Sequence, residues 1–167
     1  MKKAGVIALG AISGVLLLVA VALFALWPSP EAALKAFYTR TWIPEETVAD
    51  PLIVAGDRVV PLVVSEIGSK SMPNRAYAIG FLAEGRYKEA LPALLRIVTD
   101  ETESEIMRGR ALAAIWSIDE AKGRRLAERY AEGHGHLSAR AISLQRGLSA
   151  YEPRRTRLEA VLGWLDP

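Results

Sequence analysis

The chain has 167 residues, 51% of them hydrophobic, with 21 basic and 19 acidic side chains, a net charge of +2 and no cysteine. The lack of cysteine excludes disulfides, thiolate catalysis and cysteine-ligated metal. Two of the basic residues, Lys2 and Lys3, precede Trp27; the rest of the chain holds 19 basic and 19 acidic groups, and a neutral body has little general attraction for nucleic acid.

From Ala4 to Trp27 there are 24 residues without a charge. As a helix they extend about 36 Å, enough to cross a hydrocarbon core of roughly 30 Å. Residues 1–28 are therefore expected to form a single-pass transmembrane anchor. Lys2 and Lys3 keep the N-terminus in the cytoplasm and place the body on the outer side, periplasmic or extracellular. Ala20-Val21-Ala22 has the small-x-small form of a signal-peptide cleavage site, which leaves a removable secretory signal as the alternative; the apolar run is longer than the usual 7–15 or so residues of such signals. Gly10-x-x-x-Gly14 has the spacing of close-packing membrane helices, or is a glycine-tolerant anchor.

Residues 29–54 read as a connecting helix and loop. Ser29-Pro30-Glu31 supplies a cap, a proline tolerated in the first turn and an acid at the positive helix end, and predicts a helix to about residue 40. Trp42-Ile43-Pro44 ends it, and 45–54 is expected as a weak helix or ordered loop interrupted at Pro51.

Residues 55–167 are expected to form one helical repeat domain, because the chain says nearly the same thing twice. Val60-Pro61-Leu62-Val63-Val64 returns as Leu91-Pro92-Ala93-Leu94-Leu95, and Arg75-x-x-Ala78-x-x-Phe81-Leu82 returns, at almost the same interval, as Arg108-x-x-Ala111-x-x-Ala114-Ile115. A period in the low thirties accommodates two short helices and two turns, the unit of an α-solenoid. Helices are predicted over 58–67, 71–84 and 88–99, with Pro61 and Pro92 in first turns where a missing N–H is harmless. Thr102-Glu103-Ser104-Glu105 fits a capping box for the next, which runs to Ile118. Asp119 caps another to about residue 131, Gly133-His134-Gly135 breaks it, and two more helices follow over 137–148 and 153–165. Helical spacing puts Ala76, Ile79, Gly80 and Ala83 on one stripe, Leu91, Leu94, Leu95 and Val98 on a second, and Met107, Ala111, Ala114, Ile115 and Ile118 on a third. No alternating run marks a strand.

Arg75-x-x-Ala78-x-x-Phe81-Leu82 followed by Glu89-Ala90-Leu91-Pro92-Ala93-Leu94-Leu95 resembles the HEAT-like repeat, in the short form also found in the bilin lyases of phycobilisomes. The second copy, Arg108 to Ile118 and then Asp119-Glu120-Ala121, has Gly123 or Arg124 where the motif has proline and alanine. The resemblance spans about residues 52–132. It implies an all-α, short HEAT-like solenoid of antiparallel helix pairs, and it is specific for fold and not for function.

His134 and His136 are the only histidines, and they lie in a glycine turn with only Glu132 near in sequence, too few ligands for a metal site. Asp100, Glu101, Glu103 and Glu105 fall at a predicted helix start, where capping accounts for them. The serines lack a nucleophile elbow and there is no phosphate-binding glycine loop, so no catalytic role or cofactor is implied. Charge is uneven: residues 122–157 hold nine basic groups and three acidic ones. Arg125 and Arg129 lie one turn apart and should share a helix face, and with Arg124 they form the candidate binding residues, for an acidic protein partner or anionic lipid; the alternative is a solvated ridge paired with Glu128 and Glu132. The expectation is a membrane-anchored, non-catalytic protein–protein interaction scaffold, an accessory subunit of a membrane complex. An enzyme or maturation factor of lyase-like ancestry and a periplasmic ligand-binding module are the rivals.

Overall fold

The structure, a computed structural model, describes residues 28–40, 44–148, 151 and 155–165. The expected membrane segment, Pro28 excepted, lies outside the described residues. Among the described residues no helix is long and apolar enough to cross a membrane, and all regular structure is helical.

α1 (Pro30–Thr39) starts as its sequence dictates, with the Ser29 hydroxyl accepting from the Ala32 N–H at 3.1 Å. A 3-10 turn (Glu45–Thr47) leads to α2 (Asp50–Ala55). Pro51 does not interrupt this helix but stands in its first turn, where the absent N–H has no partner to lose. A second 3-10 turn (Gly56–Val59) precedes α3 (Val60–Glu66), so the predicted helix from residue 58 begins later and tighter.

The repeats follow. α4 (Arg75–Glu84) and α5 (Leu91–Thr99) are joined through a 3-10 turn (Lys88–Ala90). α6 (Glu105–Ile118) and α7 (Glu120–Ala131) form a hairpin with Asp119 alone between them, and the Asp119 carboxylate caps α7 by accepting from the Lys122 N–H at 3.0 Å. α8 (His136–Gln145) and α9 (Arg157–Leu165) complete the order. α4, α6 and α8 pack side by side, and α5 and α7 pack against α6.

One arginine pattern shows why the motif recurs. Arg75 Nε donates to the Ile67 carbonyl at 2.6 Å, and Arg108 Nε to the Val98 carbonyl at 3.0 Å. The two donors are one sequence period apart, and so are the two acceptors. Each arginine supplies a donor to a carbonyl at the C-terminal end of the preceding helix, which the helix itself leaves unpaired. In the third unit the shorter Ser138 hydroxyl donates to the Ala131 carbonyl at 3.0 Å.

α4 and α6 are buried nearly all round. In α4 Arg75, Ala78 and every residue from Ile79 to Ala83 are buried, and in α6 Gly109, Ala111 to Ile115 and Ile118 are. The single stripes read from spacing are too narrow here, because these helices have neighbours on several sides. α5 keeps a stripe: Ala93, Leu94, Ile97 and Val98 are buried, while Leu91 and Leu95 are half-buried at its edges. Gly123, in the place of the motif's proline, allows α7 to lie directly on α6, since a β-carbon there would collide with the Trp116 backbone.

Of the acids expected to cap α6, Glu105 stands in its first turn, but Asp100 and Glu103 do not cap it. Only Ser104 caps, accepting from the Met107 N–H at 3.3 Å, and the third helical position is Met107, so no capping box closes. Glu103 pairs instead with Arg75 of the preceding unit, Asp100 with Lys70 at 3.1 Å, and Glu105 reaches forward to the next unit.

α9 packs on α2, near the other end of the order. On the way the Tyr151 hydroxyl donates to the Arg110 carbonyl of α6 at 3.1 Å and its ring lies over Gly80 of α4. Arg155 then donates to both oxygens of Asp50, at 2.9 and 3.0 Å, and to the Glu46 carbonyl at 3.2 Å. α9 opens with a reciprocal cap in which Thr156 and Glu159 each accept from the other's backbone N–H, at 3.2 and 2.7 Å. That box places the start at Arg157, later than the expected residue 153.

Candidate functional site

Between α6 and α8 there is an open cleft of about 420 Å³, lined by Glu105, Ile106, Gly109, Arg110, His136, Ala139, Arg140, Ser143 and Tyr151. Three local features build it. The Arg140 stem lies over Gly109 of α6, with its Cβ and Cγ at 3.5 and 3.6 Å from where a β-carbon would stand, ordinary packing distances. Gly135 enters α8 at φ +88°, a left-handed conformation that an L side chain resists, and the space beside it is taken by the Glu105 carboxylate. Glu105 Oε2 accepts the His136 N–H at 2.7 Å and so supplies the cap that Gly135 lacks.

The floor is Tyr151. Burial raises its phenol to about 12, with Glu84 adding to the rise and the positive charges of Arg110 and Arg140 opposing it. Like any tyrosine it keeps its proton at neutral pH, and it donates that proton to the Arg110 carbonyl. Arg110 is exposed on one side of the cleft, Arg140 half-buried on the other, and Ile106 is 55% exposed at the lip. The arrangement places the exposed Arg110 across the cleft from Arg140, with positive charge on both sides of an apolar edge. It suits a carboxylate attached to an apolar body, held by charge-assisted hydrogen bonds. Ser143 donates to the Ala139 carbonyl at 2.8 Å, and no histidine pairing activates it.

The candidates read from sequence lie elsewhere, on α7. Arg124, Arg125 and Arg129 are all exposed. Arg124 is engaged locally: its guanidinium pairs with Glu120 at 2.7 Å and stacks on the Trp116 ring at 5.4 Å. His134 and His136 are exposed, and His136 contributes to the cleft. Among the described residues no group of three histidines or acids comes together that could hold a metal ion. Arg110 and Arg140 were missed, although the signal was present: they stand about one repeat apart on equivalent inner helices. Extending the period into the third unit finds them.

No family model, curated protein or solved structure matches the chain.

Proposed function

We propose that this protein is a membrane-anchored, HEAT-like solenoid that works without catalysis, by holding an acidic segment of a membrane-associated protein in the α6–α8 cleft. The observation that carries this reading is the placement of Arg110 and Arg140 across one cleft, beside Tyr151 and the exposed Ile106. The repeat-spaced arginine bonds and the hairpins support the solenoid. The 24 uncharged residues from Ala4 to Trp27 support the anchor, which would raise the local concentration of the module for a partner in the same membrane. Arg125 and Arg129, exposed on α7, add to the basic character of this end and steer an acidic partner.

The test uses the detergent-solubilised full chain and a fluorescent acidic peptide, Glu-Glu-Phe-Glu-Glu, followed by anisotropy. Binding should fall at least tenfold in the double variant Arg110→Ala with Arg140→Ala, and also in high salt, where exposed charge is screened over about 8–10 Å or less. Equal binding by the double variant and the parent would remove the cleft from the reading. A photo-crosslinker in place of Ile106, used in native membranes, should then capture a protein partner that the double variant does not.

A further inference from the structure

We propose that the outer face of α9, made by Leu158 and Leu162 with Arg157 at its edge, rests on the surface of an anionic bilayer. The inference rests on the anchor reading above. Leu158 and Leu162 are one turn apart and 69% and 58% exposed, among the few large apolar side chains left open to solvent. The opposite side of the helix is committed: Ala160 is fully buried and Val161 packs on the core as α9 lies on α2.

Two contacts locate this face. The Arg157 side chain lies against Gly56. Just beyond Gly56 in the chain, Arg58 Nη2 donates to the Pro28 carbonyl at 3.3 Å. Pro28 directly follows the uncharged stretch that ends at Trp27. α9 thus begins against the same 3-10 turn (Gly56–Val59) whose Arg58 holds Pro28, where the body joins its apolar segment. A short helix with leucines outward and a cation at its edge matches the chemistry of an interfacial helix. Its nine residues extend about 14 Å, so it can lie on a bilayer and not cross one. Two leucines fall well short of the roughly 1,000 Å² that a stable protein interface clears, which disfavours a second copy as the cover. Arg157 at the edge of this face complements anionic headgroups, and a pair of leucines calls for no further protein.

The chain has no cysteine, so single nitroxide labels can be placed by Leu158→Cys, Leu162→Cys and, as a reference on α7, Arg125→Cys. The full chain is reconstituted in nanodiscs of phosphatidylcholine with or without phosphatidylglycerol, and collisions with oxygen are compared with those of a water-soluble nickel complex. In discs with phosphatidylglycerol both α9 labels should favour oxygen over nickel several-fold more than the reference label does. Adding Arg157→Glu should bring Leu162→Cys back towards the reference. Nickel access at both α9 sites equal to the reference, in chain that co-purifies with discs, overturns the contact while leaving the anchor intact. Chain that fails to co-purify with discs overturns the anchor and the contact together. Spin–spin broadening at Leu162→Cys would assign the face to a second copy. Nickel exclusion that ignores both lipid charge and Arg157→Glu would assign it to the chain's own apolar segment. Either result rejects the bilayer as occupant.

Discussion

Glu103 and Asp50 are both carboxylates held by arginine, but one joins neighbouring units and the other joins distant parts of the chain. Glu103 and its partner Arg75 are 28 residues apart and almost equally buried, with side chains 8% and 6% exposed. Asp50 is fully buried while Arg155, 105 residues away, keeps 30% of its side chain in solvent, and Arg40 stands 3.8 Å off as a second cation. Burial raises the Glu103 carboxyl, but hydrogen bonds from Arg75 and the Ser104 N–H and the charge of Arg75 outweigh it, and the carboxyl ends below its ordinary value. Burial wins at Asp50, whose carboxyl ends above its ordinary value despite the pull of Arg155 and Arg40. The same pair of residue types is thus a firm bridge where both are enclosed and well bonded. It is a costlier clasp where the acid is deep and its partner comes from a surface segment.

The comparison can be broken at its strong end first. Arg75→Ala leaves Glu103 enclosed without its cation and the Ile67 carbonyl without its donor, and it should cost about 3–5 kcal/mol in global unfolding. Leu94→Ala, in the fully buried stripe of α5, should cost about 2–5 kcal/mol. A change under about 0.5 kcal/mol at either position, measured by chemical denaturation, would mean that the packing around α5 and α6 is wrong.

Arg155→Ala should do less, about 1.5–3 kcal/mol, because Arg40 still faces Asp50. Its effect should also be local: amide exchange should accelerate in α9 and α2 before α4 and α6. Uniform acceleration would show that the clasp and the repeats form one cooperative unit.

Acid should separate the two carboxylates by sign. The Thr102 hydroxyl and N–H, with Lys70, hold Asp100 down at about 2 from an ordinary 3.8, and Glu103 is lowered as well. Stability from such groups is fully present above their ordinary values and is lost as pH falls through the lowered ones. Asp50 acts oppositely, since the fold takes up its proton more readily than the unfolded chain does. As pH falls below 4.5, Glu103→Gln should therefore flatten the fall in melting temperature, whereas Asp50→Asn should steepen it above 3.8, where the folded chain takes up the Asp50 proton before the unfolded chain does. Parallel slopes in the two variants would refute the distinction.

The smallest effect is expected on α7. Replacing Arg124, Arg125 and Arg129 by alanine should cost about 1 kcal/mol in all, nearly all of it from the Arg124 contacts with Glu120 and Trp116. A loss above about 2 kcal/mol would make this ridge structural, and unchanged affinity for the acidic peptide would confine recognition to the cleft.

Helix caps and repeat spacing were legible in the sequence because they act within a few residues or one period. Ser29, Asp119, Pro61 and Pro92 all stand where their chemistry places them. Asp100 and Glu103 were misread as caps because the same carboxylates suit a helix start and a cation from another part of the chain, and only packing decides between them, whereas Glu105 does stand in the first turn of α6. Nothing local distinguishes Asp50 from a surface aspartate, since its partner is 105 residues away. The cleft lay between the two: Arg110 and Arg140 carry the repeat interval, but α8 has too little of the motif to reveal it unaided.

The clasp also orders events in time. At a ribosomal rate of about 5–20 residues per second, Arg155 is made roughly 5–20 s after Asp50. Throughout that interval the Asp50 carboxylate cannot be enclosed at its native depth with its main partner. The first helices of the body, although first made, should therefore be the last to reach their final packing, and a released chain that ends before residue 155 should resist protease in α4 and α6 while α2 does not.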